Sequence, residues 1–182
     1  MAVLTEEQSM LRDAAKSWVQ EKSPVTAFRK MRDSGAELGY DVAAWNEMAE
    51  MGWAGVIIPE EYGGSDFGYL SLGLVLEETG RTLTASPLLA SALGGASAII
   101  LGGSDAQKSA WLPKIAEGTA IATLAVDEGP RHAPDKVSTK VEGGKLSGKK
   151  TFVLEGMAAN VFVVSAMSGG AIEVYLVAAD AP

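Results

Sequence analysis

The spacing of apolar residues changes near residue 119, and this change constrains the fold more than any other feature. Before it, apolar residues recur every three or four positions, as on one face of a helix. After it come short segments rich in Val, Ile and Thr, with glycine pairs at 143–144 and 169–170. Helices followed by strands are typical of an α+β protein. We therefore predict an α-helical bundle domain over 1–118, followed by an incomplete antiparallel β-sheet or barrel domain over 119–182.

Capping residues and apolar spacing predict five helices in the first part. The segment 70–81 is apolar on more than one side, which predicts a central, buried helix. The helices are expected to begin at Thr5 (in a capping box with Gln8), Asp41, Leu70, Pro87 and Ser104 or Asp105. The strands are expected over 121–128, 136–142, 145–154, 160–167 and 171–179.

Composition argues against several classes of function. The net charge of −8 and the 15 scattered Lys and Arg residues argue against a nucleic-acid partner. The chain has no Cys and a single histidine, His132, so we expect no metal site of the thiolate or histidine-rich kind. No apolar run approaches the roughly 20 residues of a membrane span, and the N-terminus does not resemble a signal peptide. A cytoplasmic location is the expectation.

Four short motifs follow one another along almost the whole chain. The first has the pattern GWxGxxxPxxYGG over 52–64, and the second is EETGR over 77–81. The third has the pattern GSxxQKxxxLPxxxxG over 103–118, and the fourth is GxKxFV over 148–153. In this order they resemble the acyl-CoA dehydrogenase family. The resemblance implies the family's N-terminal helical domain and the first part of its middle β domain.

The resemblance also implies a reaction. In this family a glutamate takes a proton from Cα of an acyl-CoA thioester, FAD accepts a hydride from Cβ, and an electron-transfer flavoprotein receives the electrons. That glutamate belongs to a C-terminal helical domain that this sequence does not contain. We therefore expect no catalytic residue in the chain and no turnover by the chain alone. The resemblance further implies a homo- or hetero-oligomer of acyl-CoA dehydrogenase-like subunits.

The stretches that correspond to the family's flavin-binding segments depart from its pattern. The TEPxAGSD loop becomes VDEGPRHAPDK, in which Val126 replaces a threonine, and in the next flavin segment Leu154 replaces a serine or threonine. Because two hydroxyl groups are lost, we expect the chain alone to bind FAD weakly or not at all. The flavin-binding residues implied by the resemblance are Thr123, Ala125, Val126, Phe152, Val153 and Leu154.

The segment 88–101 corresponds to the wall of the family's acyl pocket. Its small residues either widen the pocket or allow tight helix packing. A wide pocket would suit a branched or ring-bearing acyl group, as in fatty acid or sterol side-chain degradation. The acyl-CoA contacts implied by the resemblance are Ser86, Leu89, Ala90, Leu93, Gly94 and His132, the last of which replaces a serine of the flavin loop.

Three functions remain open from the sequence. The chain belongs to an FAD-dependent acyl-CoA dehydrogenase, to a non-catalytic subunit of a heteromeric dehydrogenase, or to a related flavin-dependent monooxygenase. We predict the first, and the altered flavin loop is the observation that favours the second. Arg131 and His132 fit either a phosphate or thioester contact or an exposed loop. Asp127 and Glu128 are not expected to act as an acid–base pair, because adjacent strand residues point to opposite faces.

Overall fold

A computed structural model describes residues 3–181, within which six α-helices precede five β-strands. The helices are α1 (Glu6–Lys22), α2 (Val25–Ser34), α3 (Val42–Glu50), α4 (Gly68–Arg81), α5 (Ala96–Gly102) and α6 (Asp105–Ala116). The strands are β1 (Ala122–Ala125), β2 (Lys140–Glu142), β3 (Lys145–Ser147), β4 (Val161–Ser168) and β5 (Ala171–Ala178). The α+β class and the incomplete sheet are confirmed, since the strands do not close into a barrel.

Local capping chemistry fixes the helix starts where the sequence predicts them. The Oγ1 of Thr5 accepts a hydrogen bond from the Gln8 backbone at 3.2 Å, and the Gln8 side chain accepts one from the Thr5 backbone at 3.1 Å. Asp41 caps α3, and Ser104 forms a second capping box with Gln107 at the start of α6. Helix α2 was not predicted. Its apolar residues Val25, Phe28 and Met31 recur three positions apart, although none of its residues is fully buried.

The helix predicted from Pro87 contains an irregular turn. Residues Leu89–Gly95 form a π-helical segment that leads directly into α5. This segment packs on β1: the Ser91 hydroxyl accepts a hydrogen bond from the Ala122 backbone N–H at 3.1 Å. A Cβ atom placed on Gly95 would lie 2.3 Å from the Ala122 Cβ. Gly95 therefore permits a close approach between the helical part and the sheet.

The sheet is mixed, so the expected antiparallel pairing is only partly correct. Strands β2 and β3, and strands β4 and β5, pair antiparallel through two-residue turns at 143–144 and 169–170, where all four glycines have positive φ. In contrast, β1 and β2 both lie parallel to β4 and share one of its edges. A parallel pair needs a connection of about a dozen residues or more, and the segment 126–160 between β1 and β4 supplies it.

Three predicted strands are shorter than expected. Strand β1 ends at Ala125, β2 begins only at Lys140, and β3 ends at Ser147. The predicted strand over 145–154 is therefore wrong beyond Ser147. The backbone there leaves the extended region, with φ of 53° at Phe152 and 51° at Glu155. Strand-like composition did not reveal this, because residues with large side chains rarely adopt positive φ.

Helices and strands contribute to one hydrophobic core. Trp18 and Trp53 meet edge to face with ring centroids 5.4 Å apart, and Leu72 of α4 is fully buried beside them. Ala122 and Val161 from the sheet belong to the same cluster. Helix α4 has six buried residues, as expected for a central helix. The division into domains at 118/119 stays a prediction.

The close contact at Gly95 generates a first prediction. Gly95→Ala should lower the free energy of unfolding by about 1–3 kcal/mol, because the new methyl group overlaps Ala122 and the backbone must shift. Gly73→Ala is the matched control. It lies in α4 with no atom within 4 Å of the added Cβ, and should be neutral or stabilising by up to about 1 kcal/mol. Urea unfolding followed by circular dichroism measures both, and equal effects would contradict the packing argument.

Candidate functional site

A cleft of about 390 Å³ lies where the end of α4, the π-helical segment and residues Leu154 and Glu155 meet. Three of the predicted acyl-CoA contacts, Ser86, Leu89 and Ala90, line this cleft. Leu154, predicted to contact the flavin, lines it from the other side. The structure thus brings together residues of two predicted sets that are more than sixty positions apart in the chain. Their roles remain predictions.

The other predicted acyl-CoA contacts do not line this cleft. Leu93 is partly buried and packs against the core. Gly94 faces β1, where a Cβ atom added to it would lie 3.5 Å from the Leu124 side chain. His132 lies in the loop after β1 and pairs with Asp127. The turn of the π-helical segment explains the first two cases, since successive residues along it face different neighbours.

Two predicted flavin-binding residues are buried in β1. Ala125 is 3% exposed and Thr123 is 1% exposed. The Thr123 hydroxyl donates a hydrogen bond to the Leu154 backbone carbonyl at 2.6 Å. In this structure Thr123 therefore holds the segment beside the cleft in place. Val126 follows β1, and its carbonyl accepts a hydrogen bond from Lys150 Nζ at 3.2 Å.

The remaining predicted flavin-binding residues form an exposed, irregular segment beside the cleft. Phe152 is 77% exposed and Leu154 is 59% exposed, while Val153 is partly buried. Phe152, Glu155 and Leu83 are three of the four non-glycine residues with positive φ in the described chain, and Leu83 and Glu155 line the cleft. Each such conformation costs about 1–3 kcal/mol, and such strain is concentrated at functional sites.

Sequence reasoning missed a buried ion pair that anchors the loop after β1. Glu128 accepts hydrogen bonds from Lys150 Nζ at 2.7 Å and from the backbone and hydroxyl groups of Ser138 and Thr139. The Glu128 and Lys150 side chains are only 9% and 8% exposed. Lys150 also donates to the Ser165 hydroxyl at 3.0 Å. The only feature of the sequence that pointed to this ion pair was Lys150, the lysine of the fourth motif, which lies in an otherwise strand-like segment.

The environment of the two acidic residues in this loop separates their roles. Burial by itself would raise the pKa of Glu128, but the hydrogen bonds from Lys150, Ser138 and Thr139 outweigh burial and hold that pKa far below its ordinary range. Asp127 instead bonds to His132 Nδ1 at 3.0 Å and to the Ala133 backbone, and these contacts lower its pKa. The two carboxylates have different partners and form no acid–base pair.

Residues 3–181 contain neither a metal-binding cluster nor a membrane-spanning helix. Nowhere in that range do three or more His, Asp or Glu side chains lie close enough to hold a metal ion. None of the helices there is both long enough and apolar enough to cross a membrane.

Comparison with known proteins identifies the family. Residues 5–119 match the family described as acyl-CoA dehydrogenase, N-terminal domain. This chain therefore belongs to the acyl-CoA dehydrogenase family, and the resemblance seen in its four motifs is confirmed.

Relatives and solved structures extend the match into the strands. The chain is 33% identical over 171 residues to mitochondrial isovaleryl-CoA dehydrogenase of Pongo abelii, covering 90% of this chain and 40% of that protein. It is similar to a chain in the ChsE4-ChsE5 complex from Mycobacterium tuberculosis, with a TM-score of 0.86, 28% identity and coverage of 99% and 49%. It also resembles a chain in a structure of the electron transferring flavoprotein of Acidaminococcus fermentans, with a TM-score of 0.83, 28% identity and coverage of 99% and 50%. The chain thus spans half or less of the length of these proteins.

The buried ion pair generates a second prediction. Lys150→Met should destabilise the protein by about 3–5 kcal/mol, because it leaves the Glu128 carboxylate buried without its cation. The exposed neighbour Lys149 supplies the control, and Lys149→Met should change stability by less than about 0.5 kcal/mol. The double variant Glu128→Gln with Lys150→Met should recover part of the loss. Thermal unfolding measures all three, and equal effects of the two single lysine variants would show that the pair is not structural.

Acid titration provides a third prediction. A carboxyl group whose pKa is lowered by folding stabilises the protein fully above its unfolded pKa, and this contribution is lost as the pH falls towards the folded value. The wild-type protein should therefore lose stability on acidification below about pH 4, and Glu128→Gln should lose it less steeply. The free energy of unfolding of the wild-type protein and of Glu128→Gln is measured across this pH range. If the two values fall in parallel, other carboxylates account for the acid sensitivity.

Proposed function

We propose that the protein is an FAD-dependent acyl-CoA dehydrogenase in which this chain supplies the acyl cleft and one side of the flavin site. The observation that carries the proposal is the cleft itself. It joins Leu89 and Ala90, from the helix that corresponds to the family's acyl-pocket wall, with Leu154, at the position of a flavin contact. Family membership supports this arrangement, since the match covers the helices that form the wall.

The exposed segment beside the cleft fits a flavin. The Phe152 ring and the Leu154 side chain are largely exposed and offer apolar surface to a planar ring system. Among the described residues no acceptor receives the backbone N–H of Leu154, so this donor remains for a ligand although the side-chain hydroxyl is lost. Ala125, Val126 and Val153 complete the proposed flavin contacts. FAD, when bound, supplies the hydride acceptor.

The chain's own residues bind and orient the acyl group in this proposal. Leu89, Ala90 and Leu154 exclude water and hold the acyl chain by apolar contact. The Thr123 hydroxyl fixes the position of Leu154 by donating a hydrogen bond to the Leu154 carbonyl. This bond helps to keep Leu154 at a constant distance from Leu89 and Ala90. The remaining proposed contacts are Ser86, Leu93, Gly94 and His132. The catalytic base is proposed to lie outside this chain.

A branched acyl-CoA is the proposed substrate. The matched Pongo abelii protein is named for such a thioester, isovaleryl-CoA. The cleft is lined in part by the small side chains of Ala85 and Ala90, which take up less room than longer ones would. We further propose an electron-transfer flavoprotein as the electron acceptor, and a homo- or hetero-oligomeric assembly. Ile172 and Val174, exposed on one face of β5, would be covered in such an assembly. The cytoplasmic location stays a prediction.

A specific observation supports the second candidate, a non-catalytic subunit of a heteromeric dehydrogenase. Val126 and Leu154 lack the hydroxyl groups of the family pattern, and Asp127 and Glu128 are engaged within the loop. One matched chain comes from a complex of two named components. The composition of the native complex separates the candidates. A homo-oligomer with one flavin per subunit supports the enzyme, and a flavin-free subunit beside a flavin-bearing one supports the alternative.

The cleft assignment gives a fourth prediction. In the full-length, flavin-loaded protein, Leu89→Trp should weaken the binding of isovaleryl-CoA about tenfold or more, because the larger side chain occupies apolar surface that the acyl group would bury. Leu101→Trp, in α5 and outside the cleft lining, is the control, since Leu101 is 81% exposed. Isothermal titration calorimetry measures both dissociation constants. Unchanged binding in the Leu89 variant would place the acyl site elsewhere, and no binding by the wild-type protein would remove the proposed function.

A further inference from the structure

The acyl cleft contains one carboxylate, on Glu155. The rest of its side-chain lining is six aliphatic groups and the hydroxyls of Thr79, Thr84 and Ser86. Two of these hydroxyls are engaged within the protein: Thr79 donates to the Leu76 carbonyl at 3.0 Å, and Thr84 pairs with the Thr82 hydroxyl at 2.9 Å. Throughout residues 3–181, no donor or cation reaches the Glu155 carboxylate. The cleft thus contains an ionisable group that pairs with no other described side chain.

The environment of Glu155 is unfavourable for an isolated charge. The residue is partly buried, and burial raises its pKa. Glu155 also affects Tyr40, whose pKa is raised first by burial and then by the charge of Glu155. Since both nearby groups are acidic, neither stabilises the other's charged form. A ligand that donates a hydrogen bond would remove this cost.

The backbone holds Glu155 in place despite strain. Its φ of 51° lies in the left-handed region, which residues other than Gly, Asn and Asp rarely adopt. Three hydrogen bonds fix the surrounding segment: Gly156 N–H to the Val153 carbonyl at 3.3 Å, Ala158 N–H to the Glu155 carbonyl at 2.9 Å, and the Thr123 hydroxyl to the Leu154 carbonyl at 2.6 Å. The position of the side chain at the cleft is therefore determined by the fold.

We propose that Glu155 determines the specificity of the acyl cleft, favouring acyl groups that carry a hydroxyl group and disfavouring acyl groups that end in a second carboxylate. This inference rests on the proposed function, in which the cleft takes the acyl chain of an acyl-CoA. An ionised Glu155 accepts a charge-assisted hydrogen bond from a hydroxyl group. A ligand carboxylate in the same cleft meets a like charge, which repels it.

A hydroxyl group fits the cleft better than the other donor class, an amine. An ammonium group would pair with Glu155, but it would lose much more hydration on entering a lining of six aliphatic side chains. A hydroxyl group loses less hydration. Ser86, whose hydroxyl bonds to no other described residue, lines the same cleft and can accept or donate a second bond to the ligand.

The test compares matched ligands on the full-length, flavin-loaded protein by isothermal titration calorimetry. The ligands are octanoyl-CoA, octanoyl-CoA derivatives with a hydroxyl or an amino group at successive carbons, and octanedioyl-CoA. For the wild-type protein, at least one hydroxylated ligand should bind about tenfold more tightly than octanoyl-CoA, and octanedioyl-CoA about tenfold more weakly. An amino derivative that binds more tightly than every hydroxylated one would overturn the choice of hydroxyl.

Two substitutions assign the effect to Glu155. Glu155→Leu should abolish the preference for the hydroxylated ligand, and Leu at positive φ is tolerated nearby, since Leu83 has a φ of 58°. Glu155→Gln should remove the penalty on octanedioyl-CoA while keeping part of the hydroxyl preference, because the amide oxygen still accepts a hydrogen bond. Glu142→Gln, an exposed glutamate of β2, is the control and should change neither ratio.

The outcomes separate this inference from the proposed function. If octanoyl-CoA binds, and the ratios among ligands are the same in wild-type, Glu155→Leu and Glu155→Gln proteins, the role of Glu155 is wrong and the acyl cleft stands. If neither isovaleryl-CoA nor any octanoyl-CoA derivative binds to the wild-type protein, the proposed function fails, and this inference fails with it. If isovaleryl-CoA binds and no octanoyl-CoA derivative does, only this inference fails. Flavin content and thermal unfolding confirm that each variant is folded before its ratios are compared.

Discussion

The packing of the π-helical segment on β1 is the contact on which the candidate site depends. Gly95 lets the segment approach Ala122 at a distance that no side chain would permit, and the Ser91 hydroxyl satisfies the backbone of β1 at the same place. One residue further along β1, Thr123 bonds to the Leu154 carbonyl. This series of contacts sets the distance between Leu89 on one wall of the cleft and Leu154 on the other. The π-helical segment and β1 thus meet without an intervening layer of side chains.

The loop after β1 shows how a changed sequence can keep an ordered structure. Glu128 and Lys150 are nearly fully buried, and every donor around the carboxylate is used. A buried ion pair of this kind brings little net stability, but it is costly to break and therefore fixes the path of the loop. The acidic side chains of the loop, Asp127 and Glu128, are thus engaged in hydrogen bonds within the protein.

The irregular segment after β3 supplies the one carboxylate of the cleft. Because the strand ends at Ser147, the chain turns at Phe152 and Glu155 with positive φ and exposes one aromatic ring and one carboxylate beside the cleft. A regular strand would have placed alternate side chains on opposite faces of the sheet. The departure from a regular strand therefore provides both the apolar surface proposed to meet a flavin and the carboxylate proposed to select the acyl group.

The sequence by itself determined those features that depend on residues close together in the chain. Thr5 with Gln8, Asp41 and Ser104 set helix starts through bonds within three residues, and the glycine pairs set the two hairpin turns. Four local motifs were enough to indicate the family. Only the tertiary structure decided the parallel pairing of β1 with β4, the partnership of Glu128 with Lys150 and the meeting of Leu89 with Leu154. Each of these contacts joins residues from 22 to 65 positions apart. Packing and burial decide which distant residues come into contact, and no local pattern of residues encodes that.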